Sequence, residues 1–208
     1  MRGAFIAGVA GAAIVGIAVG VLLHNRFDTR AVASPPAVPS LHGEATWAAG
    51  ARPAPDFALR DQTGRRVSLR GLRGRSIALM FMDSICKEAC PLEGRAIANA
   101  VAQTPAGLRP HIVVVSVDPA GDTPRTIAHA LRKWRLPAST LWLLGSHAAL
   151  ARVWRAYQIT VDQTSGDVVH STAVYVLDRS GNERAGFLMP FIPAFVADDF
   201  RTLGREAA

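Results

Sequence analysis

The feature that most constrains this chain is the apolar run Ile77-Ala78-Leu79-Met80-Phe81-Met82, which breaks at Asp83-Ser84 and leads at once into Cys86-Lys87-Glu88-Ala89-Cys90-Pro91. An uninterrupted apolar run of this length is what a strand reads as when both faces of its sheet are covered. Beyond it Leu92, Ala96 and Ala100, with Ile97 and Val101 beside them, recur at the spacing of an amphipathic helix. A buried strand therefore runs into a helix, and the only two cysteines of the chain stand at the helix entrance.

Their spacing leaves two chemistries open. If the turn is helical, positions i and i+4 share a face with β-carbons about 5–6 Å apart. A disulfide needs about 3.5–4.5 Å, so a tightened turn permits one and a relaxed turn holds a soft metal ion between two thiolates. Unpaired amides at a helix start lower a thiol pKa, and Pro91 suits a first helical turn. An inert core pair is disfavoured, because ordinary buried cysteines do not usually open helices.

Composition narrows the field. The chain has 208 residues, half of them hydrophobic, which allows one good-sized domain with accessories and excludes a disordered chain. Two cysteines exclude a scaffold of several disulfides, and no second pair is present for a structural zinc site. The net charge of +7 is carried almost wholly by scattered arginines, the only lysines being Lys87 and Lys133. No basic run, zinc-finger spacing or aromatic RNA-binding signature accompanies it, so no nucleic-acid partner is expected.

Strands and helices alternate along the rest. Phe57-Ala58-Leu59, the turn Asp61-Gln62-Thr63-Gly64 and Val67 to Leu69 read as a hairpin leading into the strand at Ile77. Further strands are expected at Ile112–Val117, Leu141–Leu144, Ala173–Leu177 and Ala185–Leu188. Thr123 and Ser146 read as caps of helices carrying Ile127, Leu131 and Trp134, and Leu150, Val153, Trp154 and Tyr157. A closing helix is expected from Phe195 to Leu203. This order predicts an α/β fold, a central mixed sheet with helices on both faces.

The N-terminal portion differs in kind. Gly3 to Leu23 is uncharged and apolar, close to the length that spans a bilayer. Residues 1–25 are read as a membrane anchor, 26–50 as a Pro/Ala-rich spacer without chemistry, and 51–208 as the folded domain. Ala31-Val32-Ala33 has the form of a signal cleavage site but lies well past the apolar stretch, behind two arginines and Asp28. Thiol chemistry places the domain outside the cytoplasm.

Three further motifs make the chain resemble a known family. Cys86-x-x-x-Cys90-Pro91 after an apolar strand, Ser116-Val117-Asp118-Pro119 with Asp122-Thr123-Pro124, and His170-Ser171 before the strand ending at Asp178 are together similar to the Sco/SenC group. Its members are membrane-anchored, thioredoxin-like copper proteins that help assemble the copper centre of cytochrome c oxidase. The resemblance implies a thioredoxin-like fold and a copper ion, Cu(I) or Cu(II), held by Cys86, Cys90 and His170. Thiolates are soft ligands that favour Cu(I), and an added imidazole makes Cu(II) tolerable. His170 is read as lying on a loop at a strand entrance, and Asp118 as either an outer acceptor or a strand terminator.

The chain departs from the family in carrying Met82-Asp83-Ser84 before the first cysteine and Lys87 after it. The resemblance implies a metallochaperone rather than a turnover enzyme. It would be a single-pass protein of the bacterial inner membrane facing the periplasm, its partners the oxidase's copper-binding subunit and an upstream copper donor or thiol reductant. The alternatives are a thiol-disulfide oxidoreductase with Cys86 and Cys90 as its redox pair and Cys86 attacking, or a copper or redox sensor.

Overall fold

The computed structural model describes residues 40–164 and 167–206. The expected anchor, 1–25, and most of the spacer lie outside them. Among the described residues no helix is long and apolar enough to cross a membrane.

The apolar run forms strand β4, Ile77–Met82, preceded by β1 (Ala45–Thr46), β2 (Ala58–Arg60) and β3 (Arg66–Ser68). After it come α1 (Ala89–Ala102), β5 (His111–Ser116), α2 (Pro124–Lys133), β6 (Leu141–Leu143) and α3 (His147–Ala156). The chain continues through β7 (Val161–Thr164), β8 (Asp167–His170), β9 (Val174–Leu177), β10 (Glu183–Phe187) and α4 (Pro193–Arg205). The main sheet has the order β1-β10-β9-β4-β5-β6, so β4 is central. It pairs in parallel with β5, from Ile77 opposite His111 to Met82 opposite Ser116, and antiparallel with β9. Parallel neighbours need crossovers, which α1 and α2 supply.

All six residues of β4 are buried, and its side chains alternate between two cores. Ala78, Met80 and Met82 pack with Ile97 of α1, Ile127 of α2 and Phe200 of α4. Ile77, Leu79 and Phe81 pack with Leu150 and Trp154 of α3 and with Leu59 of the β2–β3 hairpin. Helices thus cover both faces of a mixed sheet, as the element order predicts. Thr123 caps α2 by accepting the Thr126 N–H, and Ser146 caps α3 by accepting that of Ala149.

Three expectations change. The segment before residue 51 is not all spacer: β1 pairs antiparallel with β10, Leu41 packs against the core, and buried Asp199 accepts the His42 N–H and bonds its Nδ1 at 2.8 Å. Short polar spacing around these residues hid a strand whose pairing is wholly non-local. An unforeseen ribbon, β7–β8, stands apart from the main sheet, and His170 ends its second strand instead of lying on a loop. Finally, α1 begins at Ala89, so Cys86 sits in the turn before the helix and only Cys90 is helical.

Candidate metal centre

The site lies where β4 and β5 end. Parallel strands deliver their carboxyl ends to the same edge, and β9, running the other way, begins there. The Cys86 turn, the loop after β5 and the β7–β8 ribbon wall an open cleft of about 810 Å³, lined among others by Ile85, Cys86, Asp118, Val169, His170 and Thr172.

The turn is pinned by carboxylates. Asp83 accepts the Ile85 N–H at 2.7 Å, and its backbone carbonyl accepts the Cys86 N–H. Asp122 accepts the Ser84 N–H at 2.7 Å and the Trp142 indole N–H at 2.8 Å, tying the turn to α2 and β6. Asp83 and Asp122 are buried, and desolvation raises both, Asp83 to about 6. Asp118 accepts the Ala120 N–H at 3.1 Å and so closes the turn after β5. Asp118 also lines the cleft. Asp83 and Ser84 are therefore the residues that shape the turn before the first cysteine.

The two sulfurs are free and unlike. Cys86 is half-buried and faces the cleft; Cys90 is 0% exposed. Cys90 donates its S–H to the Cys86 sulfur, and the backbone N–H groups of Cys90, Glu88 and Ala89 point at that same sulfur. These donors stabilise the thiolate and lower Cys86 to about 5. Lys87 and Glu88 side chains, whose opposing charges leave the effect open in sequence, are not the cause. Cys90 is pushed far up by giving its proton to that bond and by burial.

His170 arrives from the ribbon. Its Nδ1–H donates to the Ser171 carbonyl at 3.0 Å, since a carbonyl only accepts. In the neutral ring Nε2 then carries the lone pair, and it stands 3.7 Å from Cys90 Sγ. Fixing one ring nitrogen to present the other is how metal-ligating imidazoles are oriented. The base of the ribbon is held by mutual bonds between Thr160 and Ser171. The structure thus brings the three predicted residues together, Cys86 with Cys90 and Cys90 with His170, 80 positions apart. Among the described residues no three His, Cys, Asp or Glu side chains stand in a finished metal-holding arrangement.

Against this geometry the comparisons agree. The sequence profile described as SCO1/SenC matches residues 47–203. The chain belongs to that family. A Stutzerimonas stutzeri protein named for copper binding is 29% identical over 146 residues, covering 67% of this chain and 71% of its own length. Among solved structures, copper-bound ScoI from Bradyrhizobium japonicum superposes with a TM-score of 0.63 at 25% identity, covering 72% of this chain and 98% of that one. BsSco, a Sco-family cytochrome c oxidase assembly protein with an identified disulfide switch, gives 0.64 at 19% identity, covering 75% and 95%.

Sequence reasoning passed over two residues of this SCO1/SenC site. Glu93 reads as an ordinary polar position of an amphipathic helix, yet it is 0% exposed. Asp122 appears in the sequence only as part of a motif; its bond to Trp142 is visible only once β6 is placed beside β5.

Proposed function

We propose that this protein is a copper metallochaperone that binds one copper ion at Cys86, Cys90 and His170 and passes it by ligand exchange to the copper centre of a cytochrome c oxidase. The observation that carries the reading is the 3.7 Å separation of Cys90 Sγ and His170 Nε2 beside the Cys86 thiolate. With bonds of about 2.3 Å to sulfur and about 2.0 Å to nitrogen, values known for zinc, two ligands at a trigonal angle stand about 3.7 Å apart. Two thiolates and one imidazole are a soft set that suits Cu(I) and tolerates Cu(II). Loading replaces the Cys90 S–H bond to Cys86 with two metal–sulfur bonds and releases the Cys90 proton. The copper bound to ScoI and the copper-binding name of the Stutzerimonas relative support the choice of metal.

The oxidase as recipient is supported by the family's association with its assembly. The apolar stretch Gly3–Leu23 supports anchoring in the inner membrane with the domain in the periplasm, where copper sites of that kind are built. Titration of reduced chain with Cu(I) against a competing chelator tests the site: stoichiometric binding is expected, and Cys86→Ser or Cys90→Ser should abolish it. Undiminished binding in the double variant would place the metal elsewhere.

A second reading, thiol-disulfide exchange, is favoured by the contrast between a cleft-facing Cys86 thiolate and a buried Cys90 thiol. Insulin reduction separates the two. Copper binding without insulin turnover supports the chaperone, and the reverse supports the oxidoreductase.

A further inference from the structure

Arginines that are scattered along the sequence gather at one end of the fold. Arg75 and Ser76 lead into β4, Gly107 lies in a single helical turn before β5, Arg179 in the turn between β9 and β10, and Gly204 in the last turn of α4. Together they line a pocket of about 150 Å³ where β4 begins, at the opposite end of that strand from the cysteine cleft. The space suits several waters or one small polyatomic ion.

Two properties of its wall suit an anion. The first is positive charge without compensation. Arg179 donates from Nε to the Gly74 carbonyl at 3.0 Å and from Nη1 to the Glu206 carbonyl at 3.1 Å, bonds that fix the guanidinium without neutralising it. They also cap a carbonyl at the end of α4 that would otherwise repel an anion. Arg75 has no hydrogen-bonded or ion-paired side-chain partner among the described residues, and Arg73 lies over Gly181 in the Arg179 turn. No carboxylate lines the pocket. The acids on the neighbouring turns are engaged, Asp178 by the N–H groups of its own turn and by Arg184, and Glu206 by Arg184. The second property is Ser76, which is 1% exposed and whose hydroxyl is buried with no hydrogen-bond partner among the described residues. A buried hydroxyl left unbonded is destabilising, and alanine would fill the same place without that cost.

We propose that this pocket binds a phosphate-type oxyanion, with the Arg75 and Arg179 guanidiniums and the Ser76 hydroxyl as its donors. Guanidinium forks fit phosphate oxygens in pairs. Three donors from separate chain segments match the oxygens of a tetrahedral anion better than the two of a carboxylate. Free phosphate and the phosphodiester of an anionic lipid headgroup both offer this chemistry. A headgroup held here would leave the copper cleft, at the other end of β4, turned away from the bilayer. The site does not depend on the copper reading.

The test is calorimetric titration of the full chain in neutral detergent, at neutral pH and constant ionic strength, with inorganic phosphate, with glycerophosphoglycerol as a soluble headgroup diester, and with acetate. Saturable one-to-one binding of phosphate or the diester is expected, with acetate much weaker. Preference for the diester assigns the site to lipid, and preference for inorganic phosphate assigns it to the free ion. Arg75→Ala should weaken binding about 10-fold or more. Arg152→Ala removes the same charge from an exposed position on α3 and should leave binding unchanged. Ser76→Ala should weaken binding several-fold without lowering the melting temperature, because the free protein loses only an unbonded hydroxyl. Burial, with the Arg75 charge second, holds the His111 imidazole below its ordinary value. A bound anion should therefore raise the His111 midpoint seen by NMR and leave that of His147, on α3, in place. The proposal would be overturned by the absence of saturable binding with both phosphate probes, by acetate binding as tightly as phosphate, or by undiminished binding in Arg75→Ala or Ser76→Ala.

Discussion

Cys86 and Cys90 carry the same functional group and behave differently because one sulfur faces a cleft and a helix start while the other is buried beneath it. With Cys86 lowered to about 5, alkylation at pH 7 should modify Cys86 in the folded chain and spare Cys90 until unfolding. Cys90→Ala removes the S–H donor, the largest cause of that shift, so the midpoint of Cys86 alkylation should move upward toward an ordinary thiol. An unmoved midpoint would assign the effect to the helix amides alone. His170→Ala should retain most Cu(I) affinity, because two thiolates suffice for near-linear Cu(I), and lose the visible thiolate-to-Cu(II) absorption. Parallel Cu(I) competition and Cu(II) spectroscopy check this; equal loss of both states would make His170 structural. Glu93 adds a pH signature of its own. Burial lifts it from 4.5 to about 8, so across that window the folded chain keeps a proton the unfolded chain has released. Stability supplied by the neutral acid is complete below 4.5 and is lost as pH rises through about 8. The melting temperature of Glu93→Gln relative to wild type should therefore climb through this window and then level. A constant gap would show that the buried carboxyl does not titrate there.

At the scale of elements, the site is assembled from three pieces with different dependence on the sheet. The β4–α1 junction is part of the core, whereas the β7–β8 ribbon is a separate two-stranded sheet that packs Val161 and Val168 against it. Replacing Val161–His170 by a short linker should leave the six-stranded sheet folded while reproducing the His170→Ala copper phenotype. Circular dichroism and copper titration on one preparation decide it, and global unfolding would show the ribbon to be structural. Asp122 acts through two buried bonds that hold the turn. Asp122→Ala leaves the Ser84 N–H and the Trp142 indole without acceptors, a loss of about 1–3 kcal/mol for each buried group. Urea unfolding should register it, together with faster alkylation of Cys90 as the turn loosens.

At the scale of the whole molecule, the folded unit begins earlier than composition indicates. A fragment starting at Ser40 keeps β1 on the edge of β10 and His42 on Asp199. One starting at Ala51 bares that edge and leaves a buried aspartate unpaired, a cost of about 3 kcal/mol or more. The longer fragment should melt distinctly higher; matching melting curves would mean the strand and the His42–Asp199 pair contribute nothing.

What the sequence determined by itself is what local pattern encodes. The run Ile77–Met82 dictated a doubly covered strand, helical spacing after Cys90 dictated α1, and Thr123 and Ser146 marked their helix starts; each signal lies within a few residues of its consequence. The alternating order of elements then settled the layered α/β class. What only the tertiary structure decided is long in range. β1, the ribbon bearing His170 and the His42–Asp199 pair are short segments with weak periodicity, stabilised by partners far along the chain. The inequality of the two thiols has the same origin: identical side chains four positions apart differ because burial and the direction of backbone N–H groups are properties of the packed fold. Glu93 is the extreme case, since nothing in a helix written Leu92-Glu93-Gly94 says which face the sheet will cover, and that covering turns an ordinary acid into a sealed one.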